Sequence, residues 1–373
     1  MSELKIAMLL GCLPNQRTNK RIQLEESIGD LDVVCWDRGN NMMTESVGNN
    51  HVMHVLDIPA SSIPTKRILQ FLTFYREALK ELKEIKPDII HCQSLDTLMV
   101  ACKYKGSVGN VKIIYEVPDI HPLLADKQKN PMKRVLQQYL RHQDIKLEKQ
   151  VDLLIITSEK YYDSYFKGFY DSGKVFYFPN VPVLDAFASY EKKIHSEFTV
   201  GFIGSVRYKK QLINLIEAGR QCGIKVLIAG LEVGEPEIEK LCKKTQNCVW
   251  IGKFDYRKEV SALYEQCDVI YSVYDADEGN VRVALPNKLY ECIYCGIPII
   301  VAKNTYLESV VKEMGIGVAV SHRDEIGTVE AITKLRDDHA FYETMVKNCQ
   351  LQRGNIDISV YNKRLTDIIN SWR

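Results

Sequence analysis

Residues 286–300 read PNKLYECIYCGIPII and predict a helix followed by a buried strand. Proline is favoured in the first helical turn, where its missing N–H needs no partner, so we expect the helix to begin at Pro286. Gly296 is the residue type that ends helices in the left-handed conformation, and apolar residues follow Pro298. A helix joined to a strand in this way is typical of a parallel α/β sheet. The helix carries one carboxylate, Glu291, and its N-terminal amides suit an anion.

Length and composition predict a globular chain of two domains. The 373 residues exceed what one ordinary hydrophobic core contains. The formal net charge of +1 argues against nucleic acid as a partner, because nucleic-acid-binding domains usually carry a basic excess. The longest apolar runs have the length of strands, so we expect no transmembrane helix. The apolar stretch at residues 5–11 is predicted to be the first buried strand rather than a signal peptide.

Cysteine usage indicates a reducing compartment. The 11 cysteines are scattered singly and odd in number, which is unlike a disulfide framework. We therefore expect a cytoplasmic protein. Cys292 and Cys295 form a C-x-x-C pair, but no second pair or histidine cluster follows at zinc spacing. We predict two buried helix residues here rather than a metal or redox site.

Apolar strands alternate with amphipathic segments in two runs. The first run has predicted strands near 4–10, 31–36, 88–92, 111–117, 151–157 and 174–178, and the second near 198–204, 224–229, 247–251, 268–273, 297–301 and 316–320. This alternation predicts parallel sheets with helices on both faces. Prolines and charges at 179–197 predict a linker. We therefore predict an α/β fold of two tandem Rossmann-like, doubly wound domains with an interdomain cleft. The expected ranges are 1–185, 186–357 and a final helix at 358–373 that either returns to the first domain or packs on the second.

The second run opens with a buried strand, a glycine and a basic turn. The strand runs into Gly204, and three cations follow: Arg207, Lys209 and Lys210. Ligands of doubly wound sheets bind at the carboxyl ends of the strands, and charge-assisted contacts to phosphate are strong. A solvated basic turn is the alternative that this segment alone would favour. Together with residues 286–300, the turn predicts a diphosphate site.

These motifs resemble retaining glycosyltransferases of the GT-B fold, most closely those of family 4 that build bacterial capsules and surface polysaccharides. The family places a lysine six residues after the glycine of its second domain, as Lys210 follows Gly204 here. The resemblance therefore implies a pyrophosphate contact for Lys210, with Arg207 as the second cation. The family's helical glutamate, followed by Gly-x-Pro and a strand, matches residues 291–298. It implies that Glu291 binds the ribose hydroxyls of a nucleotide.

The same resemblance implies further donor-binding residues and one departure. Asn287 and Lys288 belong to a P-N-K-L-x-E form found in polysaccharide-assembling branches of the family. Gly279 lies in the loop before that helix, and Gly11 lies in the first loop of the chain. Many members carry a second glutamate eight residues before the helical one, whereas this chain has Val283. The departure leaves the transferred sugar open.

The first domain resembles the family more weakly. A strand that usually ends in His-Asp ends here in Pro118-Asp119. The resemblance therefore leaves Asp119 and His121 as catalytic candidates, although a lone loop histidine is more often structural. His91, at a strand end, is predicted to be a packed residue.

A basic stretch at residues 127–149 suggests a membrane surface as a partner. It holds seven lysines and arginines against two acidic residues, with Leu136, Tyr139 and Leu140 at helical spacing. A basic amphipathic helix can lie on an anionic membrane. The alternative is an ordinary helix that packs on its sheet and exposes its charges to solvent.

The resemblance as a whole implies a metal-independent hexosyltransferase without a cofactor. It would move a sugar from a UDP- or GDP-sugar to a hydroxyl of a lipid-linked glycan, at the inner face of the plasma membrane. Asp275 and Asp277 have Asp-x-Asp spacing, but we interpret them as part of a donor-side loop. Two alternatives remain: a sugar-nucleotide epimerase of the same fold, and a non-catalytic nucleotide-binding subunit, which Val283 and Pro118 motivate.

Overall fold

The chain forms two compact units of similar size. The structure is a computed structural model that describes residues 4–39, 50–61 and 63–373. The first unit comprises Met1–Pro179 with Ser359–Arg373, and the second comprises Asn180–Ile358. The C-terminal segment is held in the first unit by stacking of Tyr361 on Phe178, with ring centroids 5.5 Å apart.

The first unit contains a seven-stranded parallel sheet. Its strands are β1 (Lys5–Leu10), β2 (Asp30–Asp37), β3 (His51–Asp57), β4 (Ile89–Gln93), β5 (Lys112–Val117), β6 (Leu153–Ile156) and β7 (Val175–Tyr177). Their order is β3-β2-β1-β4-β5-β6-β7, and every neighbouring pair is parallel. The six strands predicted for this run are confirmed. The edge strand β3 is additional, and its side chains are mostly half-exposed.

Helices flank this sheet. They are α1 (Gln16–Glu25), α2 (Pro64–Ile85), α3 (Leu95–Val108), α4 (Pro122–Ala125), α5 (Pro131–Leu147) and α6 (Glu159–Tyr161), with one π turn at Tyr162–Phe166. The starts of α1 and α5 follow from capping chemistry. The side chain of Asn15 accepts from the amides of Arg17 and Thr18, and that of Asn130 accepts from the first amides after Pro131.

The second unit repeats the topology with six parallel strands. They are β8 (Thr199–Ile203), β9 (Lys225–Ala229), β10 (Cys248–Gly252), β11 (Val269–Ser272), β12 (Ile299–Ala302) and β13 (Gly317–Val320), in the order β10-β9-β8-β11-β12-β13. The helices are α7 (Lys209–Cys222), α8 (Glu237–Lys244), α9 (Tyr256–Tyr264), α10 (Gly279–Val283), α11 (Asn287–Cys295), α12 (Tyr306–Met314), α13 (Glu325–Asp337) and α14 (His339–Gln352). The last helix of the chain, α15 (Ile358–Asn370), belongs to the first unit apart from its first residue. Single turns of 3₁₀ helix lie at Glu148–Gln150, Ser172–Lys174, Leu184–Phe187 and Arg353–Asn355.

The stretch at residues 286–300 folds as its sequence predicts. Helix α11 begins at Asn287, because Pro286 itself is extended (φ −78°, ψ 158°) and caps the helix. Gly296 ends it in the left-handed conformation (φ 68°), and strand β12 follows. Cys292 and Cys295 are buried in this helix, which confirms their prediction as buried helix residues.

The strands at the centre of both sheets are buried on both faces. All six residues of β1 except Lys5 are buried, and so is every residue of β4, β8 and β12. This burial is expected of parallel sheets covered on both sides. Among the described residues, no helix combines the length and the apolarity needed to cross a bilayer.

Candidate functional site

Two glycines open the carboxyl edge of the second sheet. Gly204 follows β8 and Gly230 follows β9, with φ of 137° and 147°. A Cβ on Gly230 would lie 1.8 Å from the carbonyl oxygen of Gly204, and a Cβ on Gly204 would lie 2.9 Å from Nζ of Lys288. Glycine is therefore required at Gly230 for the backbones to approach, and Gly204 leaves room for a lysine. Backbone without a side chain therefore lies at both strand ends, half-buried at Gly204 and buried at Gly230.

Lys288 is a buried cation at the carboxyl edge of the second sheet. Its residue is 7% exposed, and it is the second residue of α11. Its Nζ donates to the hydroxyl of Tyr274 at 2.8 Å and lies 4.3 Å from the ring centroid of Phe202. No carboxylate of the described residues forms an ion pair with it. Burying an ammonium without an opposite charge is energetically costly. An anion bound beside Lys288 would offset that cost, and the affinity for the anion would gain accordingly.

The three cations of the basic turn are not equivalent. Nζ of Lys209 lies 3.2 Å from Oε1 of Glu232 and is thereby neutralised. Arg207 is exposed, and its Nε donates to Oγ of Ser205 at 3.2 Å. Lys210 is exposed and forms no ion pair with any part of the chain that the structure describes. Arg207 and Lys210 therefore retain their charge for a ligand.

Glu291 is held by two tyrosines that the sequence analysis missed. The residue is 3% exposed, and its two carboxylate oxygens accept from the hydroxyls of Tyr256 and Tyr264, each at 2.5 Å. Burial raises the pKa of both tyrosines, and the nearby Glu291 carboxylate raises it further, so both hydroxyls remain donors. Each oxygen keeps one further lone pair. The tyrosines lie eight residues apart on α9, a spacing that the sequence shows and that places them on one broad helix face.

The remaining predicted donor residues lie at helix starts. Gly279 begins α10 and is buried, and Asn287 begins α11 and is half-buried. Glu278, just before Gly279, accepts from the hydroxyl of Tyr208 at 3.2 Å. Val283 is the last residue of α10 and offers no polar group to a sugar.

The loop after β11 brings two carboxylates near a histidine. Ligand atoms of Asp275, Asp277 and His322 lie within 4.8 Å of one another. However, Oδ2 of Asp277 pairs with the guanidinium of Arg323, and its carbonyl oxygen accepts from Nη1 of Arg282 at 2.8 Å. Two arginines would oppose a divalent cation at this position. These contacts are better explained as ion pairs and hydrogen bonds that hold the loop in place than as a metal site.

Three of the predicted residues lie in the first unit, at strand ends. Gly11 follows β1, and Asp119 is exposed and pairs with Arg17 at 3.7 Å. His121 caps α4, where the amide of Leu123 donates to its Nδ1 at 3.2 Å. Partial burial lowers the pKa of His121, which favours the neutral ring. Because the amide of Leu123 donates to Nδ1, that neutral ring carries its proton on Nε2. His121 is thus a hydrogen-bond donor at Nε2, and this tautomer does not suit a general base.

His91 is packed, as its sequence position predicts. It is fully buried in β4, with Nδ1 against Oε1 of Glu25 and Nε2 3.2 Å from Oε2 of Glu116. Arg21 donates to Oε1 of Glu116 at 3.0 Å. Burial alone would lower the pKa of His91, but the two glutamates outweigh it and raise the pKa to about 9. The histidine is therefore a buried cation within a balanced group of charges.

Comparison with known proteins supports the fold. Residues 186–352 match the model of the family described as "Glycosyl transferases group 1". No curated protein sequence matches the chain. Among solved structures, the chain is similar to sucrose-phosphate synthase from Thermosynechococcus elongatus, with 15% identity, a TM-score of 0.77 and 98% of each chain covered.

Two other solved structures show the same likeness. HepE from Anabaena in complex with UDP-glucose has 13% identity and a TM-score of 0.72, over 98% of this chain and 100% of that one. WaaG, a glycosyltransferase involved in lipopolysaccharide biosynthesis, has 13% identity and a TM-score of 0.69, over 98% and 99%. Likenesses at these identities establish the fold, so the chain has the GT-B fold of two Rossmann-like domains, and its second domain carries the match to group 1 glycosyltransferases.

Proposed function

We propose that the chain is a glycosyltransferase that moves a sugar from a nucleotide diphosphate sugar to a hydroxyl of a glycan acceptor. The buried ammonium of Lys288, which forms no ion pair with a carboxylate of the described residues, carries this proposal, because a bound anion would offset its burial and because it lies beside Gly204. The match of residues 186–352 to group 1 glycosyltransferases and the UDP-glucose bound by a protein of the same fold support it.

We place the diphosphate beside Lys288 and the basic turn that follows Gly204. Lys288 and the N-terminal amides of α11 offer one set of contacts, and Arg207 and Lys210 offer charges that no described carboxylate neutralises. As the bond from the anomeric carbon to the phosphate oxygen breaks, negative charge grows on the departing diphosphate. Fixed cations stabilise that charge electrostatically, which is why we propose a metal-independent reaction with no cofactor.

The reaction we propose retains the anomeric configuration. The acceptor hydroxyl attacks the anomeric carbon from the face that the diphosphate leaves, and its proton passes to the departing phosphate oxygen. One bond to carbon breaks and one forms, and no further reactant is needed. The tautomer of His121, which leaves no free basic nitrogen, is in keeping with a proton acceptor on the substrate itself.

Glu291 would bind the ribose of the donor. The hydroxyls of Tyr256 and Tyr264 fix its carboxylate. The side chain therefore loses little conformational freedom when a ribose hydroxyl donates to one of its remaining lone pairs. Fixed acceptors bind more tightly than mobile ones because less conformational entropy is lost.

The acceptor we propose is lipid-linked, and α5 is the surface that would bring the protein to the inner face of the plasma membrane. We define the α5 surface by exposed apolar residues and the cations beside them: Met132, Val135, Leu136, Tyr139, Lys133, Arg134 and Arg141. Met132 is 80% exposed, Val135 66% and Tyr139 51%. Only Asp144 of this helix is buried, so the alternative of an amphipathic helix packed on its sheet does not account for these side chains. An apolar strip flanked by cations complements anionic lipid.

Cosedimentation with vesicles tests the α5 surface. We expect binding to vesicles of phosphatidylglycerol and phosphatidylcholine, and none to phosphatidylcholine alone. Reversing Lys133 and Arg134 to glutamate should weaken binding at least about tenfold, since each basic residue near an anionic surface contributes about 1 kcal/mol. Reversing Lys243 and Lys244, an exposed pair on α8, makes the same charge change and should have little effect. Equal losses in both variants would refute a specific surface.

A panel of UDP- and GDP-sugars tests the transfer itself. We expect one donor to raise the unfolding temperature of the protein and to release its nucleoside diphosphate when a glycan acceptor is added. Lys288→Met should lower nucleotide affinity roughly tenfold to a hundredfold, as loss of one charge-assisted contact costs about 1.5–3 kcal/mol. It should not destabilise the free protein, because it removes a buried charge. Lys312→Ala, an exposed lysine of the same unit, is the control.

The outcomes also separate the two alternatives. An epimerase would convert one nucleotide sugar into its isomer without releasing the nucleotide. A non-catalytic subunit would bind nucleotide and show no turnover with any acceptor. Unchanged nucleotide affinity in Lys288→Met would refute the site.

A further inference from the structure

The first sheet carries a second polar cluster at its carboxyl edge. Strands β1 and β4 are neighbours at the centre of the order β3-β2-β1-β4-β5, where successive connections depart in opposite directions. Gly11 follows β1, and Ser94 follows β4. Doubly wound sheets bind their ligands outside this switch point. None of the donor-binding groups of the second unit belongs to this cluster.

Ser94 has a backbone conformation that side chains disfavour. Its φ is 79° and its ψ is 159°, a region that is almost confined to glycine. A non-glycine residue remains there only where its surroundings over-determine it, and such residues cluster at functional sites. Oγ of Ser94 donates to Oδ1 of Asp96, and its carbonyl oxygen accepts from the amide of Leu98 at 3.1 Å. The strained residue thus holds the Asp96 carboxylate.

Gly11 leaves space for the groups that meet at this point. A Cβ there would lie 3.3 Å from Nη2 of Arg38, 3.3 Å from Oδ2 of Asp96 and 3.4 Å from Oγ of Ser94. Arg38 and Asp96 form an ion pair at 3.4 Å, and about a quarter of each side chain is exposed. The guanidinium also lies 4.3 Å from the ring centroid of Trp36. Three loops therefore bring a fixed carboxylate and a fixed guanidinium to the surface together.

The mixture of groups indicates the chemistry of the ligand. Asp96 accepts hydrogen bonds, while the guanidinium of Arg38 donates them. A sugar hydroxyl donates and accepts at the same time, so neighbouring hydroxyls satisfy such a mixture. A simple anion would be repelled by Asp96, and a simple cation by Arg38. The cluster is suited to a neutral, hydroxylated ring.

We propose that Asp96 binds a hydroxyl of the acceptor sugar, with Ser94 and Arg38 as positioning residues that fix its carboxylate. The inference rests on the proposed transfer, for which it specifies a neutral hydroxylated sugar at the reacting end of the acceptor.

Binding of methyl glycosides to the full chain tests this site without turnover. The probes are methyl glycosides of glucose, galactose, mannose and N-acetylglucosamine, detected by saturation-transfer NMR. We expect at least one to bind, and Asp96→Asn to weaken it about tenfold or more. Asp163→Asn, an exposed carboxylate of the same unit, should bind as the native chain does. Failure of all four probes to bind, or equal binding to Asp96→Asn, would overturn the proposal.

Two further measurements keep the test decisive. Ser94→Gly should raise the midpoint of thermal unfolding, because it relieves the backbone strain. The same variant should weaken glycoside binding, because Asp96 loses its hydroxyl partner. A lower midpoint together with intact glycoside binding would contradict the assignment. Nucleotide affinity is measured in parallel. Loss of glycoside binding in Asp96→Asn with no nucleotide binding by the native chain would reject the proposed transfer and keep the sugar site. Normal transfer and glycoside binding by Asp96→Asn would reject only the sugar site.

Discussion

The buried charges around His91 predict a loss of stability between neutral and alkaline pH. His91 lies between Glu25 and Glu116, and Arg21 completes the group. The pKa of His91 is raised from 6.5 to about 9, so the folded state binds its proton more tightly than the unfolded state does. This contribution to the free energy of unfolding is fully present below pH 6.5 and is lost as the pH rises through 9.

The size of the effect follows from the shift. One pKa unit corresponds to 1.36 kcal/mol, so the rise to about 9 corresponds to about 3 kcal/mol of stability. Glu116 does not add to this window. Burial would raise its pKa, but Arg21 and His91 hold it well below the usual range, so its contribution is lost only in acid.

Urea unfolding at pH 6.5, 7.5, 8.5 and 9.5 measures this contribution by difference. His91→Gln cannot be protonated, so we expect its stability deficit relative to the native chain to shrink by about 3 kcal/mol between pH 6.5 and 9.5. His142→Gln, on the exposed face of α5, changes the same residue type in the same unit and should follow the native chain. A deficit of His91→Gln that stays constant across this range would refute a protonated, ion-paired histidine.

Three further predictions concern other buried positions. Gly230→Ala should prevent stable folding of the second unit, since its Cβ would lie 1.8 Å from the carbonyl oxygen of Gly204; circular dichroism of the purified variant checks this. Tyr264→Phe removes one donor to the buried Glu291 and should cost about 1–3 kcal/mol of stability in urea unfolding, with weaker nucleotide binding in calorimetry. Burial raises the pKa of Asp144 from 3.8 to about 7, so ionisation of this carboxyl destabilises the fold as the pH rises through that range. In urea unfolding between pH 5 and 8, the free energy of unfolding of Asp144→Asn should therefore fall by about 3 kcal/mol less than that of the native chain.

Local patterns predicted most elements but not the edge of the first sheet. Continuous apolar runs identified the central strands, because both faces of those strands are covered. Strand β3 was not predicted, because its sequence HVMHVLD is only partly apolar. Its histidines are paired instead, His51 with Glu26 and His54 with Asp32. Pairing with residues 22 and 25 positions away has no local signature in the sequence.

The donor residues were predictable by type, and their surroundings were not. The sequence places Lys288 at the start of a helix, but its burial depends on Gly204 and Phe202, which come from a distant strand. Likewise, both oxygens of Glu291 are engaged by tyrosines of another helix. Whether a charged side chain is free, paired or buried is decided by tertiary contacts, so motif spacing alone does not determine it.

The two units use one topology to present different chemistry. In each, a glycine follows the strand at the switch point, Gly11 after β1 and Gly204 after β8, and in each the missing Cβ admits a charged side chain. Beside Gly11 the guanidinium of Arg38 is already balanced by Asp96, whereas beside Gly204 the ammonium of Lys288 has no carboxylate partner among the described residues. A balanced pair suits neutral hydroxyls, and an unbalanced cation needs an anion. The difference in charge balance at equivalent positions is therefore the physical reason to propose a sugar at the first edge and a diphosphate at the second.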